Sequence, residues 1–393
     1  MKRVVVTGIG LVFGDDFTNE DFFKDIYAGK CFAKQIPEDY GYSCKCKWYV
    51  PFPDTAKIIE LEPQLSKLVK RSNKSSIAAA YAALKAVGDA SIELPEDTGV
   101  IMGNVMNISE IATDAELLMN GKRISPMAIP KYMTNACAAN ISILFGIHGA
   151  CKVISTACAS GTDAVGEAYQ AITYGDSHVM IAGGAECFIG SQMFRGFDML
   201  KTLTSTDDGV PYAFCEERSG FLYSEGGGCC LILEELEHAK ARGARIYAEI
   251  TGYCCNSDGY HITGMPEYPE NAIKLVKSLS DKKIDYYNAH GTGTNLNDSA
   301  ESQLIKSIWG EEQPMINTTK GIMGHTFSAS GAIETAICAY SIYNQMVHGN
   351  LLKTPIEGLN LIKESTKTEI NTAITASFGF GGHNAAIRLE RIG

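Results

Sequence analysis

The chain has 393 residues, of which 45% are hydrophobic and 20% are charged, which is typical of a globular protein and excludes a largely disordered one. The net charge of -11 excludes an overall positive field that would attract nucleic acid or an anionic membrane.

The first residues, MKRVVVTGIG, contain an apolar run that ends at Gly8, which is too short for a secretory signal. No stretch reaches the roughly 18 apolar residues of a transmembrane helix. We therefore expect a cytoplasmic protein without a membrane span.

The 13 cysteines are scattered, and pairs such as Cys229 and Cys230 lie in apolar, strand-like runs. This pattern is typical of buried, reduced thiols rather than of a disulfide framework. Cys44 and Cys46 lack the C-x-x-C spacing and a neighbouring histidine, so we expect no metal site there.

Strand-like runs alternate with alanine-rich helical stretches, which predicts an α/β fold with helices covering a sheet. KRVVVTG, TGVIMG and HVMIAGG read as strands, whereas SSIAAAYAALKAV and TDAVGEAYQAI read as helices. After residue 245 the alternation begins again, which indicates a duplicated unit with halves at 1–245 and 246–393. No linker-like segment separates them, so we expect one compact body.

The segment VVVTGIGLVFG offers G-x-G-x-x-x-G after a strand, close to a dinucleotide fingerprint. Its third glycine, Gly14, is one position late, and Asp15 and Asp16 would lie near a pyrophosphate. The interpretation is a tight turn with no ligand.

Cys158 follows the strand-like VIS and precedes a helical stretch, with small neighbours in TACASG. This predicts a strand-turn-helix elbow that exposes a nucleophile. A helix N-terminus lowers the pKa of a thiol, and its free amides can hold an oxyanion. A buried structural cysteine is the alternative for this element alone.

His290 and His325 each follow a strand, within glycine- and threonine-rich turns, and Lys320 lies shortly before His325. Such paired surroundings favour a catalytic role over a structural one. The loop SFGFGGHNA, residues 377–385, has glycines that allow close approach or movement, and its phenylalanines indicate an apolar gate. The role of His383 in this loop stays open.

TACASG, NAHGTGT, KGIMGH and SFGFGG, in this order, resemble an elongating β-ketoacyl-acyl carrier protein synthase of the thiolase superfamily. The resemblance covers essentially the whole chain. It implies a thiolase fold, with two α/β halves in a five-layered α-β-α-β-α body.

The resemblance implies that Cys158 accepts an acyl chain from acyl carrier protein. His290 and His325 would bind the malonyl thioester carbonyl and stabilise the enolate that decarboxylation forms. Lys320 would tune the local charge through Glu301 or Glu334. No cofactor is implied beyond the phosphopantetheine arm of the carrier protein.

Further residues take their roles only from the resemblance. Thr292 and Thr294 match pantetheine-binding residues, and Phe378 matches the gate, whose amide would form an oxyanion hole with that of Cys158. A basic cluster would meet the carrier protein, with a plain solvated surface as the equal alternative. The cluster consists of Lys67, Lys70, Arg71 and Lys74.

The chain departs from the fatty-acid enzymes at AFCEERSG, where Cys215 replaces an aspartate. Other segments, including GYHITG, look more like the ketosynthase subunit of type II polyketide synthases. We therefore favour a polyketide-type or polyene-type synthase, either a homodimer or paired with a chain-length-factor-like homologue. Housekeeping fatty-acid elongation is the alternative.

Two other function classes stay open. A non-catalytic chain-length subunit would lack the nucleophile, so Cys158 argues against it. A cysteine hydrolase fits the spacing from Cys158 to His290 but leaves His325 without a role.

Overall fold

A computed structural model describes residues 1–37, 40 and 44–393. These residues form 15 strands: β1 Val4–Phe13, β2 Lys34–Gln35, β3 Trp48–Val50, β4 Gly99–Gly103, β5 Cys151–Ile154, β6 Val179–Cys187, β7 Tyr223–Ser224, β8 Gly226–Glu235, β9 Ala248–Ser257, β10 Tyr286–Asn288, β11 Met315–Asn317, β12 Met346–Val347, β13 Thr366–Lys367, β14 Thr372–Gly379 and β15 His383–Glu390.

The same part of the chain forms 14 α-helices: α1 Asn19–Tyr27, α2 Thr55–Leu61, α3 Ser66–Val69, α4 Lys74–Ala90, α5 Ile108–Met119, α6 Ala128–Tyr132, α7 Ala136–Phe145, α8 Ser160–Tyr174, α9 Ser191–Met199, α10 Leu236–Ala241, α11 Glu270–Ser278, α12 Asn295–Trp309, α13 Lys320–Met323 and α14 Ser330–Asn344. Within the described ranges, every helix is too short or too polar to span a bilayer.

The main sheet consists of two five-stranded units with the same topology. Its order is β11-β10-β14-β15-β9-β1-β8-β6-β4-β5. When the five strands of each half are numbered along the chain, both halves have the order 3-2-4-5-1. The pairing directions also agree, with two parallel and two antiparallel pairs in each half. The repeat lies in topology rather than in overall sequence identity.

The two units join edge to edge, because β1 also pairs with β9 in antiparallel register, with Val4 opposite Ile250. Hence ten strands form one hydrogen-bonded sheet. The predicted division after residue 245 falls between α10 and β9. That position stays a prediction.

The two five-stranded units form two β layers, and helices on both sides of each unit and between them bring the number of layers to five. α4 and α7 cover the outer face of the first unit, and α11 and α12 cover that of the second. α8 and α14 lie between the units and pack against each other. A Cβ on Gly331 would lie 1.9 Å from Thr162 Oγ1, so the two central helices approach closely only because this position has no side chain. This contact brings the N-termini of α8 and α14 together.

The predicted tight turn lies at the end of this segment, where Phe13 and Asp16 exchange backbone hydrogen bonds of 3.1 and 2.9 Å around Gly14, whose φ is 54°. The earlier glycines, Gly8 and Gly10, lie within β1, which continues to Phe13. A Cβ on Gly10 would lie 2.1 Å from the carbonyl oxygen of Ala82 in α4. The glycine therefore permits close strand-helix packing.

Candidate active site

Cys158 lies in a sharp turn between β5 and α8, as the elbow prediction requires. A 3-10 turn spans Ala157–Ala159, and Ala157 has a φ of 51°, a left-handed conformation that is costly for a residue with a Cβ. The Thr156 amide donates to Ser160 Oγ at 2.8 Å, and Ser160 Oγ donates to the Ala157 carbonyl at 2.6 Å. These bonds hold the turn and place the thiol at the helix N-terminus.

The environment of the Cys158 thiol differs from the sequence expectation. Burial raises its pKa to about 11, while the positive charge of Lys320 and the Phe380 amide act in the opposite direction. The expected lowering of the pKa is therefore wrong, because desolvation of the thiolate outweighs these favourable contacts. The resting residue is a neutral thiol.

The glycine-rich loop lies directly over Cys158. A Cβ on Gly379 would lie 3.1 Å from the Cys158 backbone nitrogen, so the two backbones nearly touch. The amide that faces the thiol belongs to Phe380, and not to Phe378 as predicted. Phe378 instead lies opposite Asn384 in the β14-β15 ladder, with its ring 5.8 Å from that of His290.

His290 is 2% exposed and follows β10. Its amide donates to Glu301 Oε1 at 2.9 Å, and the Gly291 amide donates to Glu301 Oε2 at 2.8 Å. Burial, Lys320 and His325 hold the pKa of His290 well below its usual range, so the ring is neutral. Its Nδ1 is buried without a partner among the described residues.

His325 is 3% exposed, and its ring centroid lies 5.5 Å from that of His290. Burial and Lys320 lower the pKa of His325 well below its usual range. The Phe327 amide donates to His325 Nδ1 at 3.1 Å. Because Nδ1 accepts this bond, the proton of the neutral ring lies on Nε2, where it is available as a donor.

Lys320 forms a buried ion pair with Glu334, and both residues are 1% exposed. The Nζ-Oε1 distance is 2.5 Å. Burial raises the pKa of Glu334 to about 6, while Lys320 lowers it. Of the two acidic partners that the sequence left open, the ion pair involves Glu334, whereas Glu301 supports the backbone at His290.

Thr292 and Thr294 lie in the loop between β10 and α12. Their hydroxyl oxygens are 2.9 Å apart, and Thr294 Oγ1 caps α12 by accepting from the Asn297 amide at 3.4 Å. Both residues line a cavity of about 450 Å³.

The same cavity is lined by Cys158, His290 and His325. It therefore brings together the three predicted reactive side chains from distant segments. Phe378 and Phe380 line it as well.

The remaining predicted residues lie elsewhere. The basic cluster is on and after α3, where Lys67, Lys70 and Arg71 are exposed and Lys74 is half-buried. None of the four lines the cavity among the described residues. Cys215 is fully buried and forms an isolated β-bridge with Pro355.

A second elbow, which the sequence reasoning missed, precedes α14. Residues 326–330, TFSAS, repeat residues 156–160, TACAS. Phe327 has a φ of 53°, and the Thr326 amide donates to Ser330 Oγ at 3.2 Å, as in the first elbow. The signal was the shared T-x-x-A-S-G pattern, with Ser328 in the place of Cys158.

Models of one protein family match most of the chain. The N-terminal domain model of beta-ketoacyl synthase matches residues 1–239, and the C-terminal domain model matches residues 247–352. The 3-oxoacyl-[acyl-carrier-protein] synthase 2 of Vibrio cholerae is 33% identical over 420 residues, covering 100% of this chain and 99% of the relative. The mitochondrial 3-oxoacyl-[acyl-carrier-protein] synthase of Arabidopsis thaliana is 32% identical, with 100% and 94% coverage.

Solved structures agree over the whole of both chains. A beta-ketoacyl synthase from Burkholderia phymatum has a TM-score of 0.89 at 30% identity. A ketosynthase in complex with its type II polyketide synthase acyl-carrier protein, bound to the hexaketide, has a TM-score of 0.88 at 28% identity. The ishigamide ketosynthase/chain length factor has a TM-score of 0.89 at 26% identity. Taken with the shared cavity, these matches show that the chain belongs to the β-ketoacyl synthase family of condensing acyltransferases, which elongate fatty-acid and polyketide chains.

Proposed function

We propose that this chain extends an acyl group by decarboxylative condensation, with Cys158 as nucleophile and His290 and His325 as hydrogen-bond donors. The observation that carries the proposal is the single cavity lined by all three residues. The covalent intermediate divides the condensation into two steps.

In the first step, the Cys158 sulfur attacks the thioester carbonyl of an acyl carrier protein. The carrier thiol leaves with the proton that the cysteine loses, and an acyl-cysteine forms. The amides of Cys158 and Phe380 flank the sulfur, which supports an oxyanion hole built from these two donors. Phe378 and Phe380 together form the proposed gate, with the Phe380 amide in the role first assigned to Phe378.

In the second step, a malonyl thioester loses CO2, and the electron pair of the broken bond forms an enolate. His290 and His325 donate to its oxygen. The enolate carbon attacks the acyl-cysteine carbonyl, and the Cys158 thiolate leaves. Two neutral imidazoles suit this task, because each can donate an N–H hydrogen bond to the enolate oxygen without itself carrying a buried positive charge. No dissociable cofactor is needed.

Lys320, paired with Glu334, supplies a positive charge near the thiol and both histidines. We propose that it tunes the charge balance while Cys158 is attacked. Thr292 and Thr294 are proposed to bind the pantetheine arm, which their place in the cavity lining supports. Glu301 accepts from the His290 amide and is proposed to hold this backbone in place.

The proposed partner is an acyl carrier protein, met by Lys67, Lys70, Arg71 and Lys74. In the described part of the chain these four cations form no ion pair, so they are available to an acidic surface. The proposed setting is the cytoplasm.

We further propose a dimer, either of two identical chains or with a chain-length-factor-like homologue. β5 pairs only with β4 among the described strands, which leaves a sheet edge unpaired. The apolar side chains of Ile129 and Ile143 are 66% and 76% exposed, which supports burial of this region against a partner. We place the boundary between the two halves of each chain after residue 245.

The experiment combines the purified chain with an acyl-carrier protein and malonyl-carrier protein labelled with ¹³C at the methylene carbon. We expect CO2 release and a β-ketoacyl product two carbons longer that carries the label. Release of free acid without use of malonyl donor would instead indicate a hydrolase and overturn the proposal.

The same products separate the two pathways. Repeated extension to a poly-β-ketone without any reductase supports the polyketide role that we favour. A single extension of a saturated chain supports fatty-acid elongation, which the 3-oxoacyl-[acyl-carrier-protein] synthase relatives favour. Co-purification with proteins from the native host tests whether a cysteine-lacking homologue accompanies the chain.

A further inference from the structure

Glu186 is a fully buried acid that has no part in the proposed reaction. It lies near the end of β6 and has no exposed surface. Its Oε2 accepts from Ser328 Oγ at 2.8 Å and from the Val105 amide at 3.2 Å, and its Oε1 accepts from Asn104 Nδ2 at 3.3 Å. A buried carboxyl group with this many donors holds several segments in fixed relative positions.

The segments that Glu186 joins both lead to the active site. Val105 lines the cavity. Ser328 occupies, in the second elbow, the position that Cys158 has in the first, but it does not line the cavity among the described residues. Its hydroxyl oxygen lies within hydrogen-bond distance of Glu186 Oε2, at 2.8 Å, and of the Ala185 carbonyl oxygen, at 3.1 Å. These acceptors hold the hydroxyl inward, so the second elbow presents no nucleophile.

The second elbow instead presents Phe327 to His325. The Phe327 amide donates to His325 Nδ1, and the two rings stack with centroids 4.8 Å apart and planes 16° apart. A small rotation of this turn would move the amide away from Nδ1. The ring could then protonate at Nδ1 and lose the donor at Nε2.

We propose that Glu186 and Ser328 are positioning residues for His325. Their hydrogen bond anchors the second elbow, which keeps the Phe327 amide on His325 Nδ1 and the donor proton on Nε2. This inference rests on the proposed function, because it assigns how one donor of that same site is held. Burial raises the pKa of Glu186 to about 8, so the group is largely uncharged at pH 7 and adds little negative charge beside a forming enolate.

The test compares Ser328→Ala and Glu186→Ala with Glu186→Gln and a matched control. The control is Ser341→Ala, which removes another fully buried hydroxyl in α14, one that lies 2.9 Å from the Tyr27 hydroxyl and away from the cavity. Three quantities are measured: acylation of Cys158 by intact mass, CO2 release from malonyl-carrier protein, and the His325 imidazole ¹⁵N shifts by NMR.

We expect Ser328→Ala and Glu186→Ala to acylate Cys158 at the normal rate. Their CO2 release should fall about 10- to 100-fold, since a displacement of ~1 Å costs roughly this much. The His325 shifts should show a mixture of tautomers. Glu186→Gln, which keeps an acceptor for Ser328, should recover CO2 release to within about threefold.

The inference is overturned if Ser328→Ala releases CO2 at a rate within about twofold of that of Ser341→Ala and its His325 shifts are unchanged. If Glu186→Ala does not fold, the result for Ser328→Ala alone tests the inference. Failure of the proposed function is distinguishable, because the unaltered chain would then show neither acylation nor CO2 release.

Discussion

The two elbows, residues 156–160 and 326–330, share one backbone design but present different chemistry. Both place a left-handed residue before a helix, with φ values of 51° and 53°, and both tie a threonine amide to a serine hydroxyl. The first has alanine in the strained position and opens Cys158 to the cavity. The second has phenylalanine there and turns Ser328 toward Glu186. The comparison indicates that one repeated turn can carry the proposed nucleophile in one half and support the neighbouring proposed donor, His325, in the other.

Removing the proposed nucleophile of the first elbow gives the largest expected effect. Cys158→Ala should abolish acylation, since no other thiol lines the cavity among the described residues, while malonyl decarboxylation persists. Intact mass and CO2 release measure the two steps. An acyl adduct on the variant would contradict the assignment of Cys158.

A transplanted thiol sharpens this comparison. Adding Ser328→Cys to Cys158→Ala should not restore acylation, because the side chain at position 328 is fully buried and directed to Glu186. Acylation at position 328 would show that the two elbows are equivalent.

Removing either proposed donor, His290 or His325, should have the opposite effect on the two steps, acylation and decarboxylation. His290→Ala or His325→Ala should leave acylation of Cys158 intact and reduce decarboxylation about 10²- to 10³-fold, as for other removed oxyanion donors. His148→Ala, at an exposed histidine outside the cavity, is the control. Condensation at the normal rate in either variant would exclude the donor role.

The thiol of the first elbow should react slowly at neutral pH. With a pKa of about 11, Cys158 is almost wholly protonated at pH 7, so iodoacetamide alkylation should rise about tenfold per pH unit from 7 to 10. Peptide mapping of the alkylated chain measures this rate. A plateau below pH 8 would mean that the free thiol has a lowered pKa.

The contact between the helices that follow the two elbows gives the smallest expected effect. Gly331→Ala places a Cβ against Thr162, and the overpacking should lower the free energy of unfolding by about 1–3 kcal/mol. Gly88→Ala, in α4 with open space around its Cβ, should raise it by about 1 kcal/mol. Urea denaturation measures the free energy of unfolding of both variants. If Gly331→Ala changes it by the same amount as Gly88→Ala, the central helices can move apart to accommodate the added Cβ.

Much of the fold was predictable because strand and helix periodicities are local. The alternation predicted β4, β6, α4 and α8, and the four motifs predicted the family and the α/β fold, all of which are confirmed. The tight turn at Gly14 was predicted, but the sequence did not show that Gly8 and Gly10 lie within β1, where they permit close packing against α4.

Features that depend on tertiary packing were not predictable. The pKa of Cys158 is set by desolvation, which a local helix-terminus argument omits. The amide that faces the Cys158 thiol belongs to Phe380 rather than Phe378 because of how the β14-β15 hairpin lies over the thiol. The alternation of side chains along a strand does not predict this placement. The Glu186-Ser328 bond joins residues 142 positions apart.

The most direct test of the account is the intact mass of the chain during turnover. Incubation with an acyl-carrier protein should add one acyl group, on Cys158, and subsequent malonyl-carrier protein should remove it with one equivalent of CO2 released. An acyl group that is absent, lies on another residue, or leaves as free acid without malonyl donor would contradict the account.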